Sequence, residues 1–160
     1  MFVLRIDRTR ETQQSLADVL AWTRNPESRA SWPGAHNIRS GRHDTVFYYD
    51  VALPGSKEGS PLIIEEHLRP VEKIDDGFEF ESGFLLTWPW SPGEVASGWS
   101  TYQLIDIDDR RSVTYSLRYM VPGKTGERLR QRGKFAPMME EAVDKYVTGL
   151  LSADRIAGHA

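Results

Sequence analysis

Residues Met120–Gly133 read MVPGKTGERLRQRG, and the meaning of this stretch decides the fold class. Gly123-Lys124-Thr125 has the tail of a phosphate-binding loop. Such a loop needs a glycine five positions before its Gly-Lys pair, between the strand and helix of a βαβ unit. Arg118 occupies that position. The flanking segments do not form a βαβ unit either. Upstream, SVTYSLRYMV places Val113, Tyr115, Leu117, Tyr119 and Val121 on one face, at strand period. Another strand precedes it across a turn at Asp108–Arg111, as in an antiparallel pair. Pro122-Gly123 therefore ends a last strand, and Gly126 begins the approach to a last helix.

Downstream, Phe135, Met138, Met139, Ala142, Val143, Tyr146, Val147, Leu150 and Leu151 recur at three- and four-residue spacing. That is a wide apolar stripe on a helix of about five turns. Upstream, FVLRID puts Phe2, Leu4 and Ile6 on one strand face. SLADVLAW is helical, with Ser15 as its N-cap and Asn25-Pro26 as its stop. PESRASW forms a second short helix with proline in its first turn. From His36 to Pro122 strands succeed one another. DTVFYYDVAL aligns Phe47, Tyr49, Val51 and Leu53, and PGSKEGSP is a loop. PLIIEEHLRPVEKI is a strand closed by the hairpin signal Asp75-Asp76-Gly77. FEFESGFLLTWPW aligns Phe78, Phe80, Ser82, Phe84, Leu86 and Trp88.

The expected order is strand, two short helices, six strands, long helix. Short turns between consecutive strands imply an antiparallel sheet. The helix must bury its stripe against that sheet, so an α+β fold with a curved sheet of about seven strands wrapped round the helix is expected. The domain is expected over residues 1–152, with residues 153–160 as a frayed tail.

Composition narrows the function classes. The 160 residues carry a net charge of −3, which makes no global case for nucleic-acid binding. Hydrophobic residues at 39% and charged residues at 27% give the balance of a soluble globular domain. No cysteine is present, which removes disulfides, thiolate metal sites and cysteine nucleophiles. His36, His43, His67 and His159 lack metal-ligand spacing, and no cofactor is expected. The N-terminal apolar run ends at Arg5, and no apolar stretch is long enough to span a bilayer. The expected location is cytoplasmic.

Three segments together resemble the START-like helix-grip (SRPBCC) superfamily, in its polyketide cyclase/dehydrase branch. VLAWTRNPESRASWPG resembles the first-helix segment, with Asn25-Pro26 and Trp32-Pro33 in the expected places. YMVPGKTGERL resembles the Pro-Gly-x-x-Gly lead into the last helix, and the apolar C-terminal helix follows. The turn before the last strand departs from the pattern, with Asp108-Asp109-Arg110-Arg111-Ser112 in place of Gly-Thr. The resemblance implies a deep pocket between sheet and long helix for a hydrophobic small molecule. Its members include cofactor-free cyclases and aromatases as well as non-catalytic lipid and small-molecule binders, so fold leaves catalysis open.

Strand parity selects candidate residues. Glu66 lies among Leu62, Ile64 and Leu68. In an apolar wall, desolvation would raise its pKa and suit it to proton transfer; alternatively it sits at a strand end or pairs with an arginine. His67, on the opposite face with Glu65 and Arg69, is the other candidate base if a bulge swaps the faces. Tyr49, Tyr115 and Tyr119 offer hydroxyls able to hold an enolate oxygen, or serve as core tyrosines. Ligand-binding candidates are Trp32, Phe47, Phe80, Ser82, Phe84, Met138 and Met139. Trp88, Trp90 and Trp99 join them, either around a pocket mouth or as a hydrophobic plug. In GWSTYQLIDI the inward set is open: Trp99, Thr101, Gln103 and Ile105 compete with Tyr102 and Leu104. Lys124, Arg128, Arg130, Arg132 and Lys134 form a basic run. It is either a solvated helix face or, through Arg128, Arg130 and Arg132, a dock for an acyl carrier protein. Three functions remain: a cofactor-independent cyclase, aromatase or dehydratase on a polyketide-like or aromatic intermediate, a non-catalytic binder of hydrophobic small molecules, or a small interaction module whose cavity is closed.

Overall fold

Four long strands carry the architecture. In the computed structural model these are β1 (Phe2–Thr12), β6 (Gly77–Thr87), β7 (Val95–Ile107) and β8 (Arg110–Val121). The structure describes residues 1–52, 61–87, 95–152 and 155–156. Shorter strands are β2 (Ala35–Ser40), β3 (Val46–Val51), β4 (Leu62–Leu68) and β5 (Glu72–Ile74). The sheet order is β1-β8-β7-β6-β4-β3-β2, with β5 also on β6. Every pairing is antiparallel. The terminal strands β1 and β2 do not pair, so the sheet is open. Eight strands among the described residues, rather than about seven, reflect one interruption: Pro70 splits the expected strand 61–74 into β4 and β5. Proline removes a ladder donor and breaks the strand there, and both halves still pair with β6.

The first helix, α1 (Leu16–Thr23), starts where Ser15 Oγ accepts from the Asp18 amide at 3.2 Å. It buries Leu16, Val19, Trp22 and Thr23. Asn25 Oδ1 then accepts from the Glu27 amide and opens a 3₁₀ helix, Pro26–Ser31. The Met120–Gly133 stretch is the expected strand end, followed by a helix of its own. Helix α2 (Gly123–Arg132) stops at Gly133, which takes the left-handed conformation at φ 65°. Glycine adopts that conformation without steric cost. Helix α3 (Phe135–Leu150) follows.

The apolar stripe of α3 lies over the inward face of the sheet. Its C-terminal half packs directly through Val143, Tyr146, Val147 and Leu150, all fully buried. Ile156 is buried, and Arg155 Nη1 donates to Ser31 Oγ at 2.7 Å. The inward register of β7 is Ser100, Tyr102 and Leu104. Among the described residues no helix is long and apolar enough to cross a membrane.

Candidate functional site

Phe135 at the start of α3 packs on Phe2 and Tyr119 of the sheet, and between that contact and the buried C-terminal half of the helix a cavity of about 260 Å³ remains. Phe135, Met138, Met139 and Ala142 of α3 roof it. Leu62, Ile64, Phe84, Leu86 and Leu117 form its apolar sheet wall. Trp32 and Pro33 close one side, and Glu141 and Lys145 stand at the rim as an exposed ion pair at 3.1 Å. The volume is near the low end for small-molecule sites, which start at roughly 300 Å³. Polar groups on the wall are few: Glu66, Ser100, Tyr49, Tyr102, Tyr115 and Tyr119.

Glu66 anchors the deep end, but not as a free carboxyl. Arg29, on the 3₁₀ helix, donates from Nε to Oε1 and from Nη2 to Oε2, both at 2.8 Å. Tyr49 donates its hydroxyl to Oε1 at 2.9 Å. Arg29 Nη1 donates to the Thr23 carbonyl and Ser28 Oγ at 2.8 Å, and to the Tyr146 hydroxyl at 3.1 Å. The guanidinium is fully buried, 5.1 Å from the Phe47 ring centre. Burial by itself would push the Glu66 carboxyl up. The charge and hydrogen bonds of Arg29 outweigh that and hold it below the ordinary carboxylate value. The neighbouring Ser82 hydroxyl helps lower it, although its Oγ makes no well-formed hydrogen bond. The expectation of a raised Glu66 pKa is therefore corrected; the arginine pairing kept as its alternative is what occurs.

Beyond Tyr49, the buried tyrosines contribute to two hydroxyl pairs, and Tyr119 stands apart from both. Tyr102 and Tyr146 meet at 2.7 Å, as do Ser100 and Tyr115. The Tyr119 hydroxyl makes no hydrogen bond among the described residues, although the side chain is only 2% exposed and lines the cavity. Burial pushes the Tyr49, Tyr102, Tyr115 and Tyr119 phenols well up, and the Tyr146 phenol up to about 12. All stay protonated near neutrality.

Of the residues singled out from sequence, Glu66, Tyr49, Tyr115, Tyr119, Trp32, Phe84, Met138 and Met139 meet on the cavity wall. Trp32 also stacks flat on Tyr146, ring centres 4.0 Å apart, so it serves core and cavity at once. Phe47, Phe80 and Ser82 are buried behind the wall. Phe80 stacks on Tyr102 at 4.6 Å. Two candidates sit elsewhere. No bulge inverts β4, so His67 faces outward, its Nε2 3.4 Å from Glu65 Oε2. Trp99 is 39% exposed on the outer face, under Arg118 at 5.8 Å; strand parity that turns Ser100 and Tyr102 inward turns Trp99 out. Trp88 and Trp90 lie outside the described residues. The reading from sequence did not single out Arg29, Ser100, Tyr102 or Tyr146. A glutamate in an apolar row signals a missing countercharge, but not which of the chain's arginines supplies it. Among the described residues no group of three His, Asp or Glu side chains is placed to hold a metal ion.

No protein-family model matches the sequence, and no curated protein does. Solved structures do match. A conserved protein from Geobacillus kaustophilus superposes with TM-score 0.72 at 11% identity, over 97% of this chain and 96% of that one. The Zhui aromatase/cyclase from Streptomyces sp. R1128 gives 0.61 at 12%, over 98% and 93%. A START superfamily protein from Mycobacterium smegmatis gives 0.53 at 12%, over 97% and 95%. At such identities the likeness is one of fold alone: a curved antiparallel sheet around a C-terminal helix, the helix-grip fold.

Proposed function

We propose that the protein binds a hydrophobic small molecule in the cavity between the sheet and α3. The observation that carries this is an apolar chamber onto which Tyr119 opens with a hydroxyl that no described residue engages. A hydroxyl covered by a ligand needs a hydrogen-bond partner, and a ligand carrying an acceptor would supply one. The likenesses to a START superfamily protein and to an aromatase/cyclase support the same reading. Methionine-methyl NMR tests it. The four methionines include two on the roof, Met138 and Met139, and two away from it, Met1 and Met120. Titration with 1,4-naphthoquinone shifts the roof methyls in a saturable way and leaves Met1 and Met120 in place. Shifts confined to Met1 and Met120, or none, count against it.

A second reading, a cofactor-independent cyclase, aromatase or dehydratase on a polyketide-like or aromatic intermediate, is favoured by the hydroxyls around the chamber. A chamber that folds the substrate lowers the entropic barrier to ring closure. Neutral phenols can stabilise an enolate oxygen as charge develops. Glu66, locked on Arg29, is a weak proton mover. On this reading a synthetic poly-β-ketone thioester cyclises differently with the protein than without it, and Tyr119→Phe reduces the effect. An identical product mixture with and without protein rejects it. The exposed Arg128, Arg130 and Arg132 of α2 would then meet an acyl carrier protein. Arg130 already binds Glu127 at 3.2 Å. If replacing all three by alanine leaves carrier affinity and its salt dependence unchanged, the carrier role is lost.

A further inference from the structure

We infer that the cavity selects an uncharged ligand bearing at least two acceptor oxygens, such as ring carbonyls, and rejects a carboxylate. The inference rests on the binding role proposed above and specifies its ligand.

The first argument is a count of hydroxyl protons. Each hydroxyl has one proton to donate. The Tyr49 proton goes to Glu66. Tyr102 and Tyr146 have two protons and share one bond. The other group on the Tyr146 oxygen is Arg29 Nη1, which only donates. One proton of this pair is therefore left without an acceptor. Donation from Tyr146 leaves that proton on Tyr102, on the cavity wall, and donation from Tyr102 leaves it on Tyr146, behind the wall. Ser100 and Tyr115 likewise share one bond and leave one proton over. Tyr119 leaves a third, since no described residue accepts from it. Whichever way the Tyr102–Tyr146 bond runs, two hydroxyl protons on the chamber wall, one from the Ser100–Tyr115 pair and one from Tyr119, have no acceptor of their own among the described residues, and a third joins them when Tyr146 donates. Their raised pKa values keep them as donors.

The second argument concerns charge. Arg29 is wholly buried behind Glu66 and its donors already engage Glu66, Thr23, Ser28 and Tyr146. The chamber therefore meets the carboxylate side of the ion pair and not the guanidinium. An entering anion finds a like charge at the deep end and, among the described residues, no free cation there. Lys145, at the rim, is already paired with Glu141. Burying an unpaired carboxylate is strongly unfavourable. Carbonyl oxygens accept without bringing charge.

Three probes of one ring skeleton separate the possibilities by calorimetry. Naphthalene has no acceptor, 1,4-naphthoquinone has two, and 2-naphthoate carries a carboxylate. The quinone is expected to bind about tenfold tighter than naphthalene, the scale of one or two net hydrogen bonds. It should also bind at least about tenfold tighter than 2-naphthoate by the like-charge argument. Tyr119→Phe, checked for folding by circular dichroism, should cost the quinone roughly fivefold and leave naphthalene unchanged. If naphthalene binds but the quinone gains nothing, the inference is wrong and the binding role stands. The inference also falls if 2-naphthoate binds as tightly as the quinone, or if Tyr119→Phe leaves the quinone unaffected. Failure of all three probes to bind removes the binding role itself.

Discussion

Glu66→Gln looks like the natural variant for probing proton transfer, yet the structure makes it a folding variant. Arg29 has 0% exposure and holds Glu66 through two 2.8 Å bonds, one to each carboxylate oxygen. In the variant, one amide oxygen can still accept from the guanidinium. The amide nitrogen then faces a second N–H donor, and the positive charge of Arg29 loses its counterion. Removing one partner of a buried pair typically costs about 3–5 kcal/mol. For a chain of this size each kcal/mol lowers Tm by roughly 2–4 °C, so a fall on the order of 10–15 °C is expected. Replacing both partners by apolar residues, Arg29→Met with Glu66→Leu, removes both charges and recovers about 2 kcal/mol or more of that loss. Urea unfolding followed by circular dichroism measures both variants. A loss under about 1 kcal/mol for Glu66→Gln would refute the reasoning, against the 3–5 expected for a buried pair. So would a double variant less stable than the single one.

Acid stability follows from the same pair. Because Glu66 is held below its ordinary value of 4.5, its contribution is complete above that pH and is lost as pH falls through the lower folded-state value. The wild type should lose urea stability more steeply below about pH 4.5 than the apolar double variant does; equal slopes contradict this. Gly126→Ala tests how α2 seats on the sheet. A Cβ there would strike the Val121 carbonyl oxygen and stand 3.1 Å from the Phe2 amide nitrogen, whereas at Gly83 nothing lies within 4 Å. Thermal melts should show Gly126→Ala less stable by about 1–3 kcal/mol and Gly83→Ala near wild type; similar melts for both reject the close packing.

Much of this was legible along the strands, since a two-residue period states which side chains travel together. Glu66 among Leu62, Ile64 and Leu68 led to the deep end of the cavity, and Tyr115 and Tyr119 followed from the apolar row of β8. The partner of Glu66 was not legible. Arg29 is 37 residues away on a 3₁₀ helix too short to show periodicity, and only tertiary packing brings the two together. That one contact reverses the direction of the Glu66 pKa. The register of β7 stayed open because both of its faces mix apolar and polar residues. Pairing with β6 and β8 settles it by setting Tyr102 opposite Phe80 and Tyr115. Trp99 is then outward although its composition points inward. The separate helix α2 was hidden for a different reason: Gly126 and Gly133 look alike in sequence, but one packs against Val121 and the other ends a helix.

Filling the cavity tests the central claim most directly. Ala142 stands on the roof beside Met138 and Met139, and Ala142→Trp places an indole in the space a ligand would occupy. Calorimetric titration with 1,4-naphthoquinone should show one saturable site in the wild type and none in the folded variant. Binding that survives the indole undiminished, or no binding by the wild type, would contradict a ligand chamber beneath α3.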